Sequence, residues 1–274
     1  MSQDALGVCC WSLSRDDVIT GLNEAATLNV RIAQIGFFSA HAMANADTAS
    51  IKQTAAKHDI RLTGLFVGFE GEDYTSRESL RATGGLMPDS DQSRRSEHVL
   101  QAVEHAESMG VPTVVMHAGT APEDESHPDF DTLRQRMTPL AQEAARRNIA
   151  LLLETGRESS QAIHRLVSAV DHGMQVNFDP ANFIAMGTDD PIKALRTLKN
   201  VIGAVHLKDA VGPQPGNFQG QPAALGQGDA QIPRLVNKLR VFNYEGPLLI
   251  ECSRAMSGKE NVSAGLDYVR TMLA

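Results

Sequence analysis

Residues 149–179, IALLLETGRESSQAIHRLVSAVDHGMQVNFD, decide how the fold is read. Ile149–Glu154 is a short apolar run. Ser159–Asp171 repeats its apolar positions at helical spacing, and Gln175–Asp179 is again short and extended in character. Asp171-His172-Gly173 ends the helix in the manner of a glycine C-cap. Two buried-looking runs joined by a helix predict parallel strands, because a crossover of that length returns the chain to the sheet in the same direction. Both runs finish on a carboxylate, Glu154 and Asp179.

The same alternation extends to both ends. Ala5–Trp11, Val30–Phe37, Arg61–Gly68 and Thr113–His117 read as strands before this unit, and Ile202–His206 and Pro247–Glu251 after it. Amphipathic stretches lie between them at Ser93–Met109, Asp131–Arg147, Pro191–Leu198, Gln231–Val241 and Lys259–Leu273. Met109-Gly110-Val111-Pro112 is a second glycine stop followed by proline. Eight strand–helix units in 274 residues suit a closed α/β architecture, the (β/α)8 TIM barrel, read as one domain over residues 1–274. No Gly-x-Gly-x-x-Gly follows the first strand, which weighs against an open dinucleotide-binding sheet. Two loops exceed what a tight barrel needs, Phe69–Asp91 after the third strand and Lys208–Gly228 after the seventh. Both fall on the C-terminal face, where long loops serve as lids or binding elements.

Composition narrows the function. The net charge is −8 with no basic run, which argues against a nucleic-acid partner held through a broad cationic face. No apolar stretch reaches the roughly 20 residues of a membrane helix. The start, MSQDALGVCCWSLSRDD, has no basic-then-apolar secretory pattern. Three cysteines, Cys9, Cys10 and Cys252, form no disulfide framework, so reduced thiols in a cytoplasmic setting are expected, with Cys9 and Cys10 as buried packing residues.

The chemistry lies at the strand ends. Successive runs finish on His117, Glu154, Asp179, His206 and Glu251. A closed parallel barrel brings all its strand C-termini to one rim, so residues distant in sequence converge there. An ionised carboxylate at the end of a buried strand is costly unless it is paired or bound to a cation. Three carboxylates and an imidazole on the fifth to eighth strands would repel one another, and a divalent ion relieves that. Glu154, Asp179, His206 and Glu251 are therefore the expected ligands of one divalent metal. Three oxygens and one nitrogen favour Mn²⁺, Mg²⁺ or Co²⁺, with Zn²⁺ also compatible.

The segments LLLETGRES (151–159), NFDPANF (177–183), VHLKDA (205–210), ALGQGD (224–229) and GPLLIE (246–251) together resemble the sugar phosphate isomerase/epimerase family of xylose-isomerase-like barrels, which includes ketose 3-epimerases and inosose dehydratases. The resemblance covers most of the C-terminal half and the order of the whole. It implies the same four metal ligands, with Glu154 and Glu251 also acting as an acid–base pair on opposite faces of a small sugar-like substrate. A proton next to a carbonyl would be removed and returned through an enediolate, giving a metal-dependent isomerase or epimerase. If a β-hydroxyl leaves instead, the same site is a lyase or dehydratase on a keto-sugar, keto-cyclitol or dehydroshikimate-like compound.

Other residues take supporting roles in this reading. Family 3-epimerases often carry a histidine three residues after the metal aspartate. Asn182 stands there, able to hydrogen-bond a substrate hydroxyl but not to exchange a proton. Lys208 is placed to contact a substrate oxygen or carboxylate, and Asp209 to orient His206 or Lys208. Glu158 is similar to a family position that touches substrate hydroxyls, or else is a helix-start acid. His117 would reach substrate from the fourth strand, and Trp11 would form an apolar wall against a sugar ring. Asp229, in the Gly226–Asp229 turn, reads as a helix N-cap. An apurinic endonuclease shares the barrel but needs three zinc ions and more rim histidines, and a non-catalytic sugar-binding module needs no acid–base pair. Such barrels often pair, so a homo-oligomer is compatible with the sequence.

Overall fold

In the computed structural model, which describes residues 3–274, eight parallel strands close into one barrel. They are β1 (Leu6–Cys9), β2 (Ile32–Phe37), β3 (Arg61–Val67), β4 (Thr113–Met116), β5 (Ala150–Glu154), β6 (Gln175–Phe178), β7 (Ile202–Leu207) and β8 (Leu248–Ile250). Each pairs with its neighbours in chain order, and Leu6 opposite Leu248 and Val8 opposite Ile250 close β1 onto β8. The helices expected between them are present with ends moved by a few residues, as in Ser160–Val170 after β5. Helices at Val18–Ala26, Thr48–Lys57 and Pro180–Met186 complete units whose helical signal in the sequence is weaker. Among the described residues, no helix is long and apolar enough to cross a membrane.

The strands read as continuous apolar runs because both of their faces are buried. Leu151 and Leu153 of β5, Val205 and Leu207 of β7, and Leu248 and Ile250 of β8 pack outward in the large core beneath the helices. Leu152, Ala204 and Leu249 point inward and fill the barrel with Cys9, Trp11, Ile32, Phe66 and Val115. Side chains alternate along a strand, so the next inward position after each of these is Glu154, His206 or Glu251. The inner face is thus apolar at mid-barrel and turns polar at its C-terminal end.

The first run leaves the sheet earlier than its apolar character suggests. It is extended only to Cys9 and then turns through a 3-10 segment, Cys10–Ser12, which swings Trp11 across the barrel mouth. Both long loops have structure of their own. Residues 69–91 contain a helix, Arg77–Thr83, and are tied down by Arg95. The Arg95 side chain is 2% exposed and donates to the carbonyls of Glu70, Thr83 and Gly85. Gly85, at φ +55°, lies so close to Ala118 that a Cβ would stand 2.0 Å from its carbonyl carbon. Residues 208–228 form an antiparallel ribbon, Asp209–Val211 against Gln221–Ala223.

Candidate metal centre

Four inward or rim positions of β5–β8 converge at the barrel mouth. Glu154, Asp179, His206 and Glu251 each offer a ligand atom, all within 4.8 Å of one another. Glu154 and His206 are inward residues of their strands, and Glu251 immediately follows β8. Asp179 follows β6 and N-caps the helix Pro180–Met186: its Oδ1 accepts the N–H groups of Ala181 (2.8 Å) and Asn182 (3.2 Å). That cap fixes the carboxylate and leaves Oδ2 facing the cluster.

His206 shows how well the group suits a cation. Its ring is fully buried, and Nε2 lies 2.7 Å from Gln34 Oε1, an acceptor that sets Nε2 as the protonated nitrogen. Nδ1 has no hydrogen-bond partner among the described residues, yet it faces Glu251 Oε2 at 3.1 Å and Glu154 Oε1 at 3.4 Å. Burial opposes the charge on this ring, but Cys9, Glu154 and Glu251 outweigh it and hold it protonated, so Nδ1 presents a positive charge to two carboxylates where a divalent ion would sit. The donor set, three carboxylates and one imidazole, fits such an ion without any thiolate.

The carboxylates are separately steadied. Glu154 accepts Asn177 Nδ2 on Oε2 and Asn182 Nδ2 on Oε1 at 3.1 Å. Glu251 accepts the Trp11 indole N–H at 3.1 Å. The Lys208 ammonium sits 3.2 Å from Asp179 Oδ2, 3.1 Å from Glu251 Oε2 and 3.4 Å from Asn182 Oδ1. Burial pushes the Asp179 carboxyl up to about 7 although Lys208 works against it. Burial acts on Glu251 the same way, but Lys208 and His206 outweigh it and hold that carboxyl well below the usual range. Burial opposes the Lys208 charge and is overcome by Asp179 and Glu251, so the amine stays protonated.

The remaining site residues divide into two groups. Trp11, 5% exposed, packs at the barrel mouth: its ring meets Phe38, Phe66 and His206 with centroids 5.3–5.8 Å apart. His117 lines a cleft of about 280 Å³ with Arg15, Phe38, Phe66, Glu72 and Tyr74, and Phe66 connects that cleft to His206 at 6.4 Å between centroids. Burial and the Arg157 charge push His117 well below its ordinary value, so it is neutral at pH 7. Asn182 and Lys208 hydrogen-bond directly into the four-residue candidate cluster. Glu158 does not. It is 4% exposed and borders a different cleft, of about 440 Å³, with Arg77, Arg81 and Arg157, and burial raises its carboxyl to about 8.

Two second-tier expectations are corrected. Asp209 touches neither His206 nor Lys208. Its oxygens accept the backbone N–H groups of Ala210, Gly226, Gly228 and Ala230 at 2.9–3.0 Å, which clamps the ribbon loop. Asp229 does not cap the following helix, whose N-cap is Gln231 in a left-handed conformation; Asp229 accepts Gly212 N–H instead. Gln34, Asn177 and the Glu72–Arg157 pair escaped the sequence reading. Gln34 in IAQIGF and Asn177 in QVNF carried a signal, a lone polar residue at an inward place of an apolar strand.

The model of the xylose isomerase-like TIM barrel family matches residues 22–272. The chain belongs to that family. Among solved structures, a xylose isomerase domain protein from Planctomyces limnophilus is similar at 28% identity, with 92% of this chain and 91% of that one covered at a TM-score of 0.85. A D-allulose 3-epimerase from Methylomonas sp. in complex with D-allulose is similar at 14% identity over 97% and 96% of the chains, TM-score 0.72. A probable 3-DHS dehydratase from Bacillus anthracis is similar at 15% identity over 98% and 99%, TM-score 0.69. No curated protein matches the sequence. This xylose isomerase-like barrel therefore shares its fold with epimerases and a dehydratase, and it carries a cluster able to hold a metal.

Proposed function

We propose that this chain is a divalent-metal-dependent sugar isomerase or epimerase, working by proton transfer next to a carbonyl. The observation that carries this reading is the pair Glu154 and Glu251, one buried and one partly buried carboxylate facing one buried imidazole nitrogen at 3.4 and 3.1 Å. Glu154, Asp179, His206 and Glu251 would hold the ion, Mn²⁺, Mg²⁺ or Co²⁺ before Zn²⁺. Such an ion supplies the positive charge that makes a neighbouring proton acidic and an enediolate tolerable.

The chain's own residues do the rest. One glutamate accepts the substrate proton and the other returns one to the opposite face, a contribution of about 10² to 10⁴-fold. Asn177 and Asn182 keep Glu154 aimed, and Trp11 does so for Glu251. Lys208 offers a cation to a developing oxyanion. Trp11, Phe38 and Phe66 present an apolar surface that keeps water from the reacting carbon. His117 is a neutral donor or acceptor for a hydroxyl. Glu158, in its separate cleft, takes no part in this reading. The net charge of −8 and the free cysteines go with a cytoplasmic enzyme of small molecules.

A second reading, dehydration of a keto-sugar, keto-cyclitol or dehydroshikimate-like compound, is favoured by Asn182. Its amide is committed to Glu154 and Thr155 and exchanges no proton.

The test is metal content followed by solvent exchange. Elemental analysis should find about one divalent ion per chain, lost in Glu154→Gln and His206→Ala. The loaded wild type, incubated with keto-sugars in deuterated water, should place deuterium at the carbon beside the carbonyl, and Glu251→Gln should not. An unsaturated, ultraviolet-absorbing product would select the dehydratase. A chain that binds no ion under any loading condition overturns both.

A further inference from the structure

Two arginines stand at the barrel mouth without a counter-ion. Arg15 follows the 3-10 segment after β1, and Arg254 opens another 3-10 turn, Arg254–Met256, after β8. Because β1 and β8 are paired neighbours, both loops leave the same side of the rim. They are also stitched together: Cys252 N–H donates to Ser12 Oγ at 2.9 Å and Gly258 N–H to Ser12 O at 2.8 Å. The Arg15 guanidinium carbon rests 4.0 Å above the Phe38 ring, a cation–π seat that fixes where its donors point.

Arg15 and Arg254 border one cleft of about 630 Å³, and Arg15 and Phe38 also border the smaller cleft that contains Phe66, Glu72 and His117. Among the described residues, neither arginine makes an ion pair. Three acids lie along the larger cleft. Asp17 and Asp47 commit both oxygens to helix caps, on Thr20 and Ser50. Asp16 favours the Arg15 charge from a distance but makes no ion pair with it. Burial first and the Arg254 charge second push the Arg15 guanidinium below its ordinary range. Two guanidiniums on the border of one cleft, one of them seated on Phe38, offer donors that suit carboxylate or phosphate oxygens.

We infer that Arg15 and Arg254 hold the far end of the substrate, and that this end is an anion, so the enzyme takes an acidic or phosphorylated sugar in preference to a neutral one. This rests on the metal-centre reading above: the carbonyl end lies at Glu154 and Glu251, and the anionic end lies on the β1–β8 side of the rim.

Calorimetric titration of the metal-loaded full chain tests it with three probes that differ only at carbon 6: D-fructose, D-fructose 6-phosphate and D-fructuronate. At least one anion should bind about tenfold or more tighter than fructose. Arg15→Ala and Arg254→Ala should each remove about tenfold of that preference while leaving fructose affinity and the melting temperature unchanged. A phosphate preference and a carboxylate preference distinguish the two anion chemistries. Fructose binding as tightly as both anions, no binding by any probe, or arginine variants that bind the anions like wild type each overturn the inference. Binding is read without turnover. Anion binding through the arginines with no solvent exchange would defeat the isomerase reading and leave this one standing.

Discussion

Glu72→Gln should destabilise the protein by an amount the structure sets. The Glu72 carboxylate lies 3.0 and 2.8 Å from the two terminal nitrogens of Arg157 and accepts Gly85 N–H at 2.7 Å. The pair is nearly dry, at 3% side-chain exposure for Arg157 and 10% for Glu72. Burial by itself would raise the Glu72 carboxyl, but Arg157 reverses this and brings it from an ordinary 4.5 to about 2. At about 1.4 kcal/mol per pH unit, that difference is worth about 3 kcal/mol at neutral pH. An independent estimate, about 3–5 kcal/mol for leaving a buried charge without its partner, agrees. The sign follows from the depressed value. The stabilisation is complete above pH 4.5, where the unfolded chain is ionised, and it disappears as pH falls through 2. Urea unfolding of wild type and Glu72→Gln at pH 7, 4 and 3 should therefore show a gap of about 3 kcal/mol that narrows with acid. Because the pair is buried, 0.5 M salt should leave the pH 7 gap in place. A gap under about 1 kcal/mol at pH 7, or one that does not shrink towards pH 3, would refute the argument that this ion pair anchors the loop.

Three further outcomes follow from other contacts. Gly156 sits at φ +115° with a Cβ position 2.3 Å from Asn182 Cβ, so Gly156→Ala should cost more than about 2 kcal/mol in thermal or chemical unfolding. Gln34→Ala removes the acceptor that orients His206, and metal affinity measured by competition with a chelating dye should fall about 10–100-fold. Glu158 has a buried Oε2 without a partner and a carboxyl raised to about 8, so its ionisation opposes folding. The benefit of Glu158→Gln should be near zero at pH 4, grow between 4.5 and 8, and reach the order of 5 kcal/mol in melts at pH 9; a variant equally stabilised at pH 4 contradicts this.

What the sequence discloses here depends on whether a feature is written locally. Strand–helix alternation is local, and the eight strands lie where the apolar runs put them. Strand ends are less local: Cys10–Ser12 is as apolar as a strand, and its turn is set by Trp11 packing on Phe38 and Phe66 from other units. The four candidate ligands were legible because a closed barrel turns strand order into proximity. The contacts that orient them were not, since Gln34 meets His206 across 172 positions of chain. Asp209 misled for the opposite reason. Next to Lys208 in sequence, it lies on the other face of the chain and serves four backbone amides of its own loop. The Arg157 anchor joins two loops 85 positions apart, and nothing in either segment names the other.

Lys208 bears on how the protein comes into being. Its ammonium lies among Asp179, Glu251 and Asn182, so the barrel closes around carboxylates that already have a positive neighbour. A nascent chain can reach its final shape before meeting any ion, unlike small zinc domains, for which capture of the metal and folding are one event. Were a divalent ion to bind there, Asp179 and Glu251 would exchange the lysine's charge for the ion's at a mouth already formed.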